Sequence, residues 1–189
     1  SRWVLETAAR QNKTWQKLGL NPIRVGVNLS PQHFYTPGLI EQVDGIINDT
    51  DLDPRYLELE ITEGTIMSNM EMAVDTLNQL RDKGIGLSVD DFGTGYSSLN
   101  YLKRFPIRTL KIDRSFISRN LDQNLQEAAI VNSIIKLGHS LNLNVIAEGV
   151  ETQSQLDYLR KNYCNEIQGF YYSKPLSAEK LADFLKARE

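Results

Sequence analysis

Short extended segments alternate with segments of helical period along the whole chain, and this alternation is the feature that most constrains the fold. The extended segments are short, apolar and rich in β-branched residues, and they cover residues 24–29, 56–62, 85–90, 109–113, 144–148 and 166–173. A strand followed by a helix, repeated six times, is typical of βαβ units that build a parallel sheet. The sequence therefore predicts an α/β protein.

The helical segments carry apolar residues at three- and four-residue spacing, and they cover residues 3–18, 38–48, 70–83, 97–104, 125–141, 154–162 and 178–186. The chain opens on one of these helices. It contains no Gly-, Ser- or Pro-rich linker, no low-complexity tract and no repeat at the sequence level. Residues 1–189 are therefore expected to form a single domain.

Two parallel architectures compete. A doubly wound sheet needs a glycine-rich phosphate turn after a strand, and the candidate, Gly93-Thr94-Gly95, does not follow the G-x-G-x-x-G pattern. A (β/α)8 TIM-type barrel needs eight units. With six strands recognisable, the barrel interpretation implies that the first strands, about a quarter of the domain, are lacking on the N-terminal side.

Composition excludes several classes of protein. Hydrophobic residues make up 41% and charged residues 24%, which is enough apolar surface for a core and excludes a disordered chain. The net charge of −3 argues against binding of a nucleic acid polymer. Cys164 is the single cysteine, which excludes a disulfide scaffold and favours a cytoplasmic location. No apolar run approaches the ~18 residues of a membrane span, so no membrane contact is expected from this segment, although other domains could anchor the full protein.

Polar residues stand near the carboxyl end of every predicted strand: Asn28, Glu60, Asp90, Asp91, Lys111, Asp113, Glu148 and Gln168. Ligands of parallel α/β folds bind at that end of the sheet. Buried carboxylates must pair or coordinate a metal, and one lysine cannot neutralise five of them. We therefore expect a divalent cation, and two ions rather than one.

The donor atoms are all oxygens, which favours Mg²⁺ or Mn²⁺ over zinc. His33 and His139 lie away from the strand ends. Two such ions beside adjacent aspartates suit in-line hydrolysis of a phosphodiester. Structural roles compete at three positions: Asp113 as an N-cap of the turn after its strand, Glu151 as a cap of the next helix, and Glu58 as an internal ion-pair partner in a lower layer.

Six motifs in this order and spacing resemble the EAL-domain phosphodiesterases. They are Asn28-Leu-Ser, Glu60-Ile-Thr-Glu63, Asp90-Asp-Phe-Gly-Thr-Gly-Tyr-Ser-Ser-Leu99, Lys111-Ile-Asp113, Glu148-Gly-Val-Glu151 and Gln168-Gly-Phe. The resemblance covers essentially the whole chain. It implies a (β/α)8 barrel that hydrolyses cyclic di-GMP to linear pGpG with Mg²⁺ or Mn²⁺.

The resemblance also implies a metal set. Asn28, Glu60 and Asp90 are expected to hold one ion and Asp91 to reach a second. Asp113, on the strand that carries Lys111, is expected to bind metal or to support a ligand.

The remaining implied roles concern catalysis and substrate. Lys111 is expected to hold the attacking water or the scissile phosphate, and Glu148 to act as general base. Glu63 is expected to anchor the loop 91–98, which in the family helps bind metal and form a homodimer. Four further residues are expected to contact the substrate or to shape its loop: Gly93, Gly95, Glu151 and Gln168.

One departure from the family pattern is prominent. The Glu-x-Leu-x-Arg motif, which supplies a metal ligand and a nucleotide-binding arginine, does not occur in these residues. The chain is therefore expected to be an N-terminally truncated EAL domain, and its 189 residues alone to hydrolyse cyclic di-GMP weakly or not at all. An upstream sensory or GGDEF domain is expected in the full protein. The alternatives are an impaired domain that acts as a cyclic di-GMP receptor or regulatory module, and an unrelated metal-dependent isomerase or aldolase barrel.

Overall fold

Six parallel strands form one sheet in chain order, as the alternation predicts. The structure is a computed structural model that describes residues 2–95, 102–118, 121 and 124–187. The strands are β1 (Val25–Asn28), β2 (Leu57–Thr62), β3 (Gly86–Phe92), β4 (Thr109–Ile112), β5 (Asn144–Glu148) and β6 (Glu166–Gln168). All five neighbouring pairs are parallel.

Helices connect the strands and cover one face of the sheet. They are α1 (Arg2–Lys17), α2 (Pro31–Phe34), α3 (Leu39–Thr50), α4 (Glu63–Ser68), α5 (Met70–Asp82), α6 (Leu125–Ser140), α7 (Gln153–Lys161) and α8 (Ala178–Lys186), with single 3₁₀ turns at Pro54–Tyr56 and Arg114–Phe116. The predicted helix at 97–104 falls mainly outside the described residues.

Strand alternation sorts the side chains onto two faces. In β2 the apolar residues Leu57, Leu59 and Ile61 are fully buried on the helix-covered face. The other face carries polar residues in layers, because the parallel register places Asn28 beside Glu60 and Glu60 beside Ser88. The polar residues are therefore gathered on one side of the sheet.

The sheet curls into a half-barrel with the polar face inside. Gly26 of β1 and Glu166 of β6 line the same internal cavity of about 190 Å³. Outside the curl, Trp15 of α1 packs with Ala182 of α8, and the indole N–H donates to the carbonyl of Ala178 at 3.2 Å. These contacts join the first and last helices, and the α/β barrel-type fold predicted from the sequence is confirmed.

One local prediction needs correction. The last strand ends at Gln168 rather than at residue 173, because Tyr171 donates its backbone N–H to the carbonyl of Val150 instead of continuing the sheet. The residue after β2, Glu63, begins helix α4, whose N-cap Thr62 accepts a hydrogen bond from the backbone N–H of Thr65. Among the described residues, no helix is both long and apolar enough to cross a membrane.

Candidate metal centre

Lys111 is the centre of the site at the carboxyl end of the sheet. Its side chain is 3% exposed, and its Nζ lies 2.6 Å from Glu60 Oε2, 2.6 Å from Glu148 Oε1 and 3.2 Å from Asp90 Oδ1. The carboxylates come from β2, β3 and β5, and the lysine comes from β4. Four strands therefore deliver their polar residues to one point, as their common position at strand ends predicts.

The charge balance of this cluster is negative. Burial lowers the pKa of Lys111, but the hydrogen bonds and charges of Glu148 and Glu60 outweigh burial and raise the pKa above its ordinary value. Burial raises the pKa of Glu60, and the charges of Asp90 and Glu148 add to that rise against the opposing effect of Lys111. The rise at Lys111 follows from the anions around one cation, and the rise at Glu60 follows mainly from burial.

Asp90, Asp91 and Glu148 form a close carboxylate group. One oxygen from each lies within 4.8 Å of the others. Asp91 has a φ of 54°, so the backbone turns sharply after Asp90 and carries both carboxylates toward the site. Three oxygens at this separation suit one cation between them.

Asp113 stands beside this group. Burial, the charge of Asp90 and a hydrogen bond with Asp113 all raise the pKa of Asp91. The pKa of Asp113 is lowered despite its burial, because it accepts hydrogen bonds from Ser115 and Asp91. Its Oδ1 accepts from Ser115 N at 2.8 Å, so the N-cap role considered from the sequence is confirmed, while a metal role for Asp113 stays a prediction.

Asn28 and Glu60 occupy neighbouring positions on the inner face. Asn28 is the register partner of Glu60 and is exposed at the mouth. Gly26 makes room for the Glu60 side chain, since a Cβ at this position would stand 2.1 Å from Glu60 Oε1. Below this layer Glu58 pairs with Arg24 at 3.0 Å, which confirms its predicted structural role.

Glu63 lies under the loop that follows β3. It is 3% exposed, and its Oε2 accepts the backbone N–H of Gly93 at 3.0 Å. A Cβ at Gly95 would meet Glu63 Oε1 at 2.7 Å, and Gly93 has a φ of 99°. The loop can thus approach Glu63 closely because both positions are glycine. Residues 96–98 of the predicted loop lie outside the described residues.

A pocket of about 480 Å³ opens beside the carboxylates. Its walls follow β4, β5 and β6, and they include Arg114, Glu148, Glu151, Gln168 and Phe170. Glu148 belongs both to this pocket and to the Lys111 cluster. Glu151 does not cap the next helix, because Thr152 is the N-cap of α7.

Sequence reasoning missed Gln155, a buried residue that lines the same pocket. The sequence does contain a pattern that could have identified this residue. Thr152-x-x-Gln155 is a capping box, which fixes the start of α7.

The residues present fit a divalent cation. The donors are carboxylate oxygens with an amide oxygen nearby, and burial, with the neighbouring negative charges adding to it, raises the pKa of Asp91 and Glu60. A hard cation prefers such a set. The group can hold an ion, while the identity and number of ions belong to the proposal below.

The chain forms a parallel α/β half-barrel, and its acidic, lysine-centred site lies at the carboxyl ends of the strands. It is therefore a barrel-type protein of the class that binds ligands at that end. Within this class, the EAL domain model matches residues 1–175. The chain belongs to the EAL domain family.

Curated relatives and solved structures agree with this assignment. MucR of Pseudomonas aeruginosa, named a bifunctional diguanylate cyclase/cyclic di-GMP phosphodiesterase, is 45% identical over 179 residues, which are 95% of this chain and 26% of MucR. The cyclic di-GMP phosphodiesterase NbdA of the same species is 40% identical over 185 residues, 98% of this chain and 24% of NbdA. The chain thus spans about a quarter of the length of these relatives.

Two solved structures share the fold. The PaMucR phosphodiesterase in complex with c-di-GMP is 45% identical with a TM-score of 0.91, and the match covers 95% of this chain and 72% of that one. The EAL domain of Mycobacterium smegmatis DcpA is 37% identical with a TM-score of 0.92, and the match covers 98% and 83%.

Proposed function

We propose that the protein carrying this chain hydrolyses cyclic di-GMP to linear pGpG with Mg²⁺ or Mn²⁺, using two ions. The observation that carries the proposal is the convergence of Glu60, Asp90 and Glu148 on Lys111 Nζ, with Asp91 completing a carboxylate group beside Asp90 and Glu148. The phosphodiesterases MucR and NbdA among the relatives, and the c-di-GMP in the PaMucR structure, support the substrate.

Asp90, Asp91, Glu60 and Asn28 are the residues proposed to hold the ions, with Asp113 supporting Asp91. A bound divalent cation would supply positive charge that activates water and offsets the charge of the phosphate. The carboxylates would hold such a cation in one position because they are fixed on adjacent strands. Lys111 adds a second, permanent positive charge among them.

Glu148 is the proposed proton acceptor. It faces the pocket on one side and accepts a hydrogen bond from Lys111 at 2.6 Å on the other. The lysine holds the Glu148 carboxylate in one orientation, in which its second oxygen can take a proton from the attacking water. The water oxygen bonds to phosphorus and one ring P–O bond breaks. The departing ribose oxygen takes up the proton that Glu148 accepted, passed back through solvent, and becomes a hydroxyl of pGpG.

The pocket walls are proposed to hold the nucleotide. Glu151 and Gln168 line the same cavity as Glu148, so a phosphodiester next to Glu148 would place the rest of the substrate against them. Glu63, through Gly93 and with Gly95 nearby, is proposed to hold the loop after β3 in the shape that the metal site needs.

The proposal extends to the cellular setting. We propose that the full protein is cytoplasmic, forms a homodimer and carries an upstream sensory or GGDEF domain. The bifunctional name of MucR and its greater length support a second domain. Burial raises the pKa of the Cys164 thiol to about 11, which keeps this thiol unreactive.

The test is direct. Purified full-length protein is incubated with cyclic di-GMP and Mg²⁺ or Mn²⁺, and the products are separated by chromatography. Release of pGpG supports the proposal. Tight binding of cyclic di-GMP without pGpG would identify a receptor domain instead.

A further inference from the structure

Gln155 connects two walls of the pocket through its side-chain amide. The residue is 2% exposed. Its Oε1 accepts the backbone N–H groups of Glu151 at 2.7 Å and Thr152 at 2.9 Å. Its Nε2 donates to the backbone carbonyls of Ile117 at 3.1 Å and Ser118 at 3.0 Å. Four hydrogen bonds therefore satisfy both donors and both acceptor sites of one amide.

The two segments that Gln155 joins come from different strands. Ile117 and Ser118 follow β4, the strand of Lys111, and they line the pocket with Arg114. Glu151 follows β5, the strand of Glu148, and it also lines the pocket. The Gln155 side chain thus bridges these two segments of the pocket wall.

The third wall is held by backbone contacts. Val150 donates its N–H to the carbonyl of Gln168 at 3.1 Å and accepts the N–H of Tyr171 at 2.9 Å. Gly169 permits this approach, since a Cβ at Gly169 would stand 2.2 Å from the Val150 carbonyl oxygen. The segment after β5 is therefore bonded to β6 by its backbone and to the segment after β4 by Gln155.

We propose that Gln155 is a positioning residue, which sets the width of the substrate pocket by holding the Arg114–Ser118 wall against the Glu148–Glu151 wall. This inference rests on the proposed function, because the pocket is taken as the nucleotide site. Gln155 touches no reacting atom; it acts through the walls that it joins. Misplacement of binding groups by ~1 Å can cost ~100-fold in rate.

Two substitutions distinguish the contributions of the hydrogen bonds made by Gln155. Gln155→Leu removes all four. Gln155→Glu keeps the acceptor oxygens for the Glu151 and Thr152 amides, but sets an anionic oxygen against the carbonyls of Ile117 and Ser118. Gln79→Glu makes the same chemical change at an exposed position of α5 and serves as the matched control.

Three measurements on the full-length proteins decide the matter: kcat and KM for cyclic di-GMP with Mg²⁺, the Kd of cyclic di-GMP in EDTA, and hydrogen exchange of the Glu151 and Thr152 amides. Both Gln155 variants are expected to raise KM and Kd by ~10-fold or more, with kcat less affected. The two amides are expected to lose protection in Gln155→Leu and to keep it in Gln155→Glu. Gln79→Glu should match the wild type in every measurement.

Other outcomes contradict the inference. A lower kcat with unchanged KM and Kd would show a loss of folded protein alone, and faster amide exchange with normal KM and Kd would show a local structural bond with no role in positioning. A wild type that binds cyclic di-GMP but releases no pGpG would refute the proposed hydrolysis, and the Kd comparison would still decide the role of Gln155. A wild type that binds no cyclic di-GMP would overturn both.

Discussion

At the scale of the residue, individual charged side chains determine the stability of the site. Lys111 offers one positive charge to Glu60, Asp90 and Glu148, and Asp91 adds a further carboxyl close to two of them. In the metal-free site, the attraction of Lys111 for the carboxylates is therefore stabilising, and the repulsion among the carboxylates is destabilising. Both effects can be measured as protein stability.

Asp91→Asn should stabilise the metal-free protein. The pKa of Asp91 is raised above 3.8 in the folded state, so its contribution is favourable below that value and is lost as the pH rises through the folded-state pKa. In EDTA at pH 7 the variant should melt higher, by ~2–4 °C for each ~1 kcal/mol of repulsion removed. The gain should vanish near pH 3, where both proteins carry a neutral group at this position.

Thermal unfolding of Asp91→Asn with and without Mg²⁺ checks this expectation, with the exposed Asp75→Asn as control. Added Mg²⁺ should raise the Tm of the wild type more than that of the variant. A variant that is less stable than the wild type in EDTA would show that Asp91 is held by attraction, contrary to the charge balance described.

Lys111→Met should destabilise the metal-free protein by about 3–5 kcal/mol, because it leaves buried carboxylates without their partner. The folded-state pKa of Lys111 is raised, so its contribution is fully present below the unfolded value of ~10.4 and is lost as the pH rises through the folded-state pKa. Urea unfolding in EDTA at pH 7 and above pH 11 measures both effects. An equal loss in the exposed control Lys136→Met would refute the role of the ion pairs.

At the scale of the element, the strands were predictable and the ends of strands were less so. Period-two alternation in segments such as Leu57–Thr62 locates both the strand and its polar face. The predicted extension of the last strand to residue 173 was wrong because its aromatic residues favour a strand locally, whereas the Val150 backbone takes the hydrogen bonds. Such a contact between segments distant in sequence leaves no local signal.

Gly26→Ala tests how β1 shapes the site. The added Cβ would collide with Glu60 Oε1 at 2.1 Å, and the flexible Glu60 side chain should move away from Lys111 and leave the fold intact. We expect kcat/KM to fall by ~10–100-fold, since misplacement of ~1 Å costs up to this range. Gly64→Ala, which meets nothing within 4 Å in helix α4, should keep activity and gain about 0.5–1 kcal/mol of stability. Normal activity of Gly26→Ala would show that the position of Glu60 is not critical.

At the scale of the whole molecule, the site depends on the curl of the sheet. Residues as distant in sequence as Glu60 and Glu148 meet at Lys111 because parallel strands bring their carboxyl ends to one mouth. This convergence was predictable from strand order and from the position of polar residues within each strand. The distances, the hydrogen bond between Asp91 and Asp113, and the Gln155 bridge were not, because they depend on side-chain conformations and loop paths that no periodicity encodes.

The metal dependence of turnover by Asp90→Asn tests the central claim most directly. Full-length wild type, Asp90→Asn and the exposed control Asp49→Asn are assayed for pGpG release from cyclic di-GMP across a titration of Mg²⁺ and Mn²⁺ and in EDTA. We predict turnover by the wild type and the control that requires the cation, and a loss of at least ~100-fold in Asp90→Asn, the scale on which a single electrostatic group acts in catalysis. Near-normal hydrolysis by Asp90→Asn at low Mg²⁺, or undiminished wild-type turnover in EDTA, would contradict the account.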